Sequence, residues 1–227
     1  MAAGVIVSYD GTANDDDALA LGRMLAAGQT PLALAYVRHS REYDPRREDL
    51  AEHDAQRRLE QGAGWLEEPD VRRHVVIDAS TGAGLAKLAA AEQASVVVFG
   101  SDYRTSPGRV EPGAAAQQML QGGTVAVAVA VAGLRTGGHS AIASISTSAS
   151  TSGGGDDDAP QRTVEALAGA LGAAIAAPGD RSADLVVVGS QPSAPHGQIA
   201  LSGATRSQLD SAASSVLVLP RGIAVQF

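Results

Sequence analysis

Two stretches of this 227-residue chain follow one plan. "VVVFGSDYRTSPGRVEPGAAAQQML" (96–120) and "LVVVGSQPSAPHGQIALSGATRSQL" (185–209) each run from an apolar segment into Gly-Ser. Each then crosses a loop rich in Pro and Gly and enters a helix-like segment. Each is followed by an apolar run, "TVAVAVAVA" (124–132) and "SVLVLP" (215–220). The spacing from Gly100 to Gly108 equals that from Gly189 to Gly197, and a proline stands near the second glycine in both (Pro107, Pro195). A duplicated strand–loop–helix–strand unit confines the chain to an internally repeated α/β architecture.

The segment before the first copy completes a domain. "GVIVSY" (4–9) is a short apolar strand ending at Asp10. "NDDDALALGRMLAAG" (14–28) reads as a helix with Asn14 as N-cap, three aspartates in the first turn and Gly28 as its close. "PLALAYV" (31–37) is a second strand. Residues 44–65 form a charged helix with Leu50, Ala51, Ala55, Leu59, Gly62 and Leu66 toward one face. "RRHVVID" is a third strand, "STGAGLAKLAAAEQ" a Ser/Thr-capped helix, "SVVVFG" a fourth strand, 113–121 a helix, and 124–132 a fifth strand with Val and Ala on alternate faces. Strands alternating with helices predict right-handed βαβ units and a parallel sheet covered on both sides.

The expected fold class is therefore α/β. Residues 1–133 form a complete doubly wound, Rossmann-like five-stranded domain, and 140–227 a shortened second copy. In that copy "SAIASIST" is its first strand, "SASTSGGGDDD" a low-complexity loop, "PQRTVEALAGALGAAI" a helix and 173–177 a small strand; the charged helix and the strand after it have no equivalent. A copy this short buries little surface alone, so it is expected to pack on the first as a pseudo-dimer partner. The segments 124–132 and 215–219 are the candidate seam.

Composition narrows the function. Aromatic residues are only 3% of the chain against 44% hydrophobic, so the core is built from small and branched aliphatics. There is no cysteine, which removes disulfides, thiolate metal sites and cysteine nucleophiles and fits a reducing cytosol. A net charge of −8 argues against a general nucleic-acid binder. The N-terminal segment lacks a signal-peptide pattern, and no apolar run is long enough to cross a membrane as a helix. A cytoplasmic α/β protein is the expectation.

Ligands of open parallel sheets bind beyond the carboxyl ends of the strands, where strand order reverses. If the first and fourth strands flank that point, Asp10 and Gly100 face one crevice. The loop from Gly100 to Gly113 then offers backbone N–H groups and a helix start to an anion, with Arg104 and Arg109 as phosphate partners. Asp10 could accept from an adenine amine or a ribose hydroxyl. The competing reading is a surface turn with solvated arginines.

These segments carry a resemblance. Strand-"YDGT"-helix, "VVVFGS"-loop-"GAAAQQML" and "TVAVAVAV", repeated as "DLVVVGS…SGATRSQLDSAASSVLVLPRG", resemble the universal stress protein family, as a tandem member of the actinobacterial kind. The resemblance covers residues 4–132 and about 183–222. It implies a doubly wound sheet pairing through its last strand, a non-catalytic stress-response or signalling role, and ATP or AMP with magnesium as ligand. The nucleotide-binding members carry an Asp after strand one and a G-x2-G-x9-G-[S/T] loop after strand four. On this chain Asp10 matches the acid and Gly100 the first glycine, while Tyr103 stands in place of the second. Gly113 matches the third, and Ala114 replaces the hydroxyl residue. Val37 matches the region that touches adenine, and Ser101 and Gly108 offer a replacement donor and a different loop path. In the second copy Gly189 is kept, Pro192 replaces a glycine, Ser202-Gly203 stands at the end of the loop, and no acid matches Asp10. The departures at 103 and 114 leave a second expectation open: a scaffold that has lost nucleotide binding and works through protein–protein contacts, as an intramolecular pseudo-dimer or a homodimer.

"DGTANDDDALAL" also resembles the calcium-binding aspartate motif of nucleoside hydrolases, but irregular spacing favours first-turn acids. The five histidines (His39, His53, His74, His139, His196) show no metal-ligand spacing. "FGSD" and "VGSQ" lack the G-x-S-x-G nucleophile elbow. No catalytic constellation assembles, so no enzyme is expected.

Overall fold

The computed structural model describes residues 4–26, 30–136, 141–148, 157–180 and 182–226. Its strands are β1 (Gly4–Ser8), β2 (Leu32–Arg38), β3 (Arg72–Ile77), β4 (Ala94–Phe99), β5 (Ala126–Val129), β6 (Ser144–Thr147), β7 (Ala174–Ile175), β8 (Leu185–Val188) and β9 (Ser215–Val218). They form one sheet in the order β3-β2-β1-β4-β5-β9-β8-β6-β7. All pairings are parallel except one, β5 against β9, where Val127 meets Val218 and Val129 meets Val216. The expected seam is thus a single antiparallel pairing, and two parallel sheets join across it. The two-residue β7 realises the small strand expected at 173–177.

The helices are α1 (Ala13–Leu25), α2 (Pro45–Leu66), α3 (Thr81–Glu92), α4 (Ala114–Met119), α5 (Ala159–Leu171) and α6 (Gly203–Asp210). Residues of α1, α2 and α5 pack on one face of the sheet with Val5, Val7, Ala126 and Ala128. Residues of α3, α4 and α6 pack on the other with Ile6, Val97, Val127 and Val129. The Val/Ala alternation of β5 therefore serves two cores, with alanine toward one and valine toward the other. The second half has no helix between β7 and β8 and so lacks a counterpart of α3.

Several local expectations change. Thr12, not Asn14, is the N-cap of α1, and the Asp15 carboxylate reaches back to accept from the Thr12 N–H at 3.0 Å. Asp44 caps α2 by accepting from the N–H groups of Arg46 and Arg47. Leu50 lies on the solvent side of that helix, 66% exposed, while Ala55, Leu59, Gly62 and Leu66 are buried. Gly28, His139 and residues 149–156 of the low-complexity loop lie outside the described residues. Among the described residues no helix is long and apolar enough to cross a membrane.

Candidate functional site

β1 lies between β2 and β4, so the chain's direction of winding reverses beside it. The expected crevice is the space beyond the carboxyl ends of β1 and β4. Asp10 follows β1 and is exposed; Gly100 follows β4. The two residues flank the same end of the sheet, as the sequence predicts.

What fills the space between them is protein. A Cβ at Gly100 would stand 2.1 Å from the Asn14 carbonyl oxygen, so this glycine admits the first turn of α1. The Asn14 side-chain amide donates to the carbonyl oxygens of Ser101 (3.0 Å) and Asp102 (2.6 Å), clipping α1 to the start of the loop. Val37 is 6% exposed and faces α3, where a Cβ on Gly84 would come within 3.2 Å of it. The cavity beside the loop after β4 is lined by residues 104–106 and 109–111, not by Asp10, Gly100 or Gly113.

The loop after β4 is tied down by its own polar groups. Ser101 is buried, donates its hydroxyl to the Ala130 carbonyl at 2.7 Å, and accepts from the Glu111 N–H at 3.3 Å. Gly108 has φ of 75°, in the left-handed region, and its N–H donates to the Ala132 carbonyl at 2.8 Å. The Arg109 carbonyl accepts from the Ala132 N–H. Val110 is buried, and its N–H crosses the seam to the Ala212 carbonyl.

The loop after β8 repeats every one of these bonds. Ser190 donates to Leu219 and accepts from the Ala200 N–H; Gly197, with φ of 77°, donates to the Arg221 carbonyl. The Ile199 N–H crosses the seam in return to the Gly123 carbonyl. Departures from the glycine pattern leave this geometry intact, because the groups that build it are backbone atoms, one serine and one left-handed glycine.

Tyr103 is 66% exposed, with the Arg104 guanidinium 4.8 Å from its ring centre. Arg104 and Arg109 are exposed and line a cavity of about 380 Å³ with Thr105, Ser106, Val110 and Glu111, on the outer side of the loop. Gly113 caps α4 with open space around it, and Ala114 begins that helix exposed.

The acidic end of α1, read from the sequence as first-turn acids, is joined by Tyr9 and Arg58, which the sequence does not single out. Asp15 accepts from the Asp10 N–H (3.1 Å) and the Thr12 hydroxyl (2.8 Å). Burial and the neighbouring Asp10 carboxyl push its pKa up to about 7. Arg58, from α2, donates to the Asp10 carbonyl oxygen at 2.5 Å. Burial and the surrounding acids Asp16 and Asp15 also raise the Tyr9 phenol. Asp17 is not a solvated first-turn acid. It is 1% exposed and accepts from the N–H groups of Gly133 (2.7 Å) and Arg135 (2.9 Å), in the connection between the halves. Among the described residues no group of acids and histidines is arranged to hold a metal ion. His196 packs against Gly222 in the C-terminal segment, where a Cβ would meet its ring at 2.6 Å.

The fold is shared with solved structures. A universal stress protein from Archaeoglobus fulgidus DSM 4304 superposes with a TM-score of 0.58 at 15% identity, over 96% of this chain and 98% of that one. A putative universal stress protein from Pseudomonas aeruginosa UCBPP-PA14 gives 0.56 at 14% identity, over 97% and 94%. A functionally unknown protein from Pseudomonas aeruginosa PAO1 gives 0.59 at 13% identity, over 96% and 92%. No protein-family model and no curated protein matches the sequence. At these identities the likeness is one of fold, and it extends over the full length of both halves.

Proposed function

We propose that this chain is a non-catalytic, cytosolic stress-response module of the universal-stress-protein kind, a single-chain pseudo-dimer that acts through protein contacts. One observation carries the reading. The loops after β4 and β8 make the same internal bonds in both halves, from the Ser101, Gly108, Val110 and Glu111 donors in one and the Ser190, Gly197, Ile199 and Ala200 donors in the other. A donor already bonded within the fold is not available to a phosphate without breaking that bond. The Ser101 hydroxyl, donating to Ala130, is likewise not poised as a nucleophile. The antiparallel β5–β9 pairing takes up the strand edge through which the family resemblance implies that two copies pair. A homodimer of this chain would therefore need another surface.

A second reading, an adenine nucleotide with magnesium at Asp10, Val37 and the 100–114 loop, is favoured by one feature. Tyr103 and Ala114, the two altered positions, are both exposed, so neither is packed into the space at the start of α4. Isothermal titration with ATP and AMP, with and without magnesium, decides between the readings. No saturable heat at millimolar nucleotide is the expected result. Saturable binding to the wild type that is lost in Asp10→Ala would overturn the scaffold reading and establish the nucleotide site.

A further inference from the structure

The missing counterpart of α3 leaves a hole. In the first half Leu85 and Ala89 of α3 share one buried cluster with Val97, Phe99 and Val127. The corresponding residues of the second half are Val186, Val188 and Val216; α6 places Leu209 against them, and there is no counterpart of α3. Val186 is only half-buried where Val97 is fully covered, and Val188 is smaller than Phe99. The result is a cavity of about 180 Å³ over these three valines, walled by Leu209 of α6 and edged by Ser148 and Asp180. None of the residues of the loop after β8 lines it, so it is distinct from any phosphate loop.

We propose that this cavity is a binding site for a small organic ammonium compound with a compact apolar body. Size and charge set the class. An apolar cavity of about 150 Å³ holds a benzene-sized molecule, so the body is a single ring or a short branched chain. The floor is aliphatic and favours such a body over water. Among the described residues lining the cavity, Asp180 is the one that carries a charge. Its Oδ1 accepts from the Ser182 N–H (2.8 Å) and hydroxyl (2.7 Å), which holds the carboxyl below the usual range and keeps it ionised at neutral pH. A fixed negative charge beside an apolar floor selects a cation and rejects a carboxylate.

Benzylammonium, benzyl alcohol and benzoate share one ring and differ in charge, and they test the site on the full chain at pH 7 by ligand-observed NMR titration. The expected order is benzylammonium about fivefold tighter than benzyl alcohol, as for one part-exposed charge pair, with benzoate weakest. Asp180→Asn should equalise the amine and the alcohol without abolishing either. Val188→Phe, which restores the bulk that Phe99 has in the first half, should abolish both; Val186→Phe serves in its place if that variant does not fold. No saturable binding of benzylammonium to the wild type, or unchanged binding in the filled variant, overturns the site. An amine preference that survives Asp180→Asn overturns the ammonium assignment. Neither result depends on whether nucleotide binds at the first half.

Discussion

Ser101 and Ser190 make one and the same bond in the two halves: each hydroxyl donates at 2.7 Å to a carbonyl 29 residues further along, Ala130 for the first and Leu219 for the second. Each also accepts from an N–H ten residues on. The two serines lock a post-strand loop to the strand beside the seam. Ser101→Ala would leave a buried carbonyl and a part-buried amide short of a partner, at a cost of about 1–3 kcal/mol. Ser190→Ala, at a less buried position, should cost less. Urea unfolding of the two variants, compared by midpoint at constant m, checks the order.

Gly100 and Gly113 should respond oppositely to alanine, although both belong to the glycine pattern. A methyl group at 100 meets the Asn14 carbonyl at 2.1 Å, a backbone atom that can move only with α1. Gly100→Ala is expected to cost about 3 kcal/mol, at the upper end for overpacking. At Gly113 a Cβ meets nothing within 4 Å and φ is −66°, so Gly113→Ala should cost no more than about 1 kcal/mol, the loss of a favourable cap residue. Thermal melts of the two proteins give the comparison. Equal losses would mean that Gly100 is not held against α1.

Asp17 ties α1 to the connection between the halves. Its replacement by alanine strands two amides, on Gly133 and Arg135, that now have a charged acceptor. The expected loss is about 2–3 kcal/mol, larger than for an exposed first-turn acid that acts on the helix dipole alone. Equilibrium denaturation of Asp17→Ala measures it, and a loss below about 0.5 kcal/mol would return Asp17 to a dipole role.

The Asp15 carboxyl gives a pH dependence with a definite sign. Its folded pKa, about 7, lies above the unfolded value, so the folded state binds the proton more tightly. That contribution to stability is fully present below about pH 4 and is lost as pH rises through 7. Asp15→Asn keeps an acceptor for the Thr12 N–H but does not titrate. Between pH 4 and 7 the wild type should lose stability relative to this variant. Urea midpoints of both proteins across that range follow the difference, and parallel curves would show that Asp15 is ionised throughout.

The sequence alone determined the order of elements, the α/β class and the duplicated unit. These rest on local physics: β-branched runs make strands, cap residues start helices, and a repeated spacing reproduces a repeated turn. The Val/Ala alternation of 124–132 already pointed to two different cores, and β5 serves two. The placement of Asp10 and Gly100 at one end of the sheet also followed, because strand order is limited to a few right-handed solutions. What only the tertiary structure decided is the use of the groups so placed. Asn14 reads as a cap and is instead a clip to Ser101 and Asp102; Asp17 reads as a first-turn acid favoured by the helix dipole and is a buried acceptor. Arg58, far along α2, holds the Asp10 carbonyl with no local signal at all. Each of these bonds joins residues distant in sequence, and a side chain's partner is set by what the fold brings beside it. The same holds for the glycine loop. Its length is written in the sequence, but whether its donors face a phosphate or a carbonyl depends on the strand that closes the seam beside it.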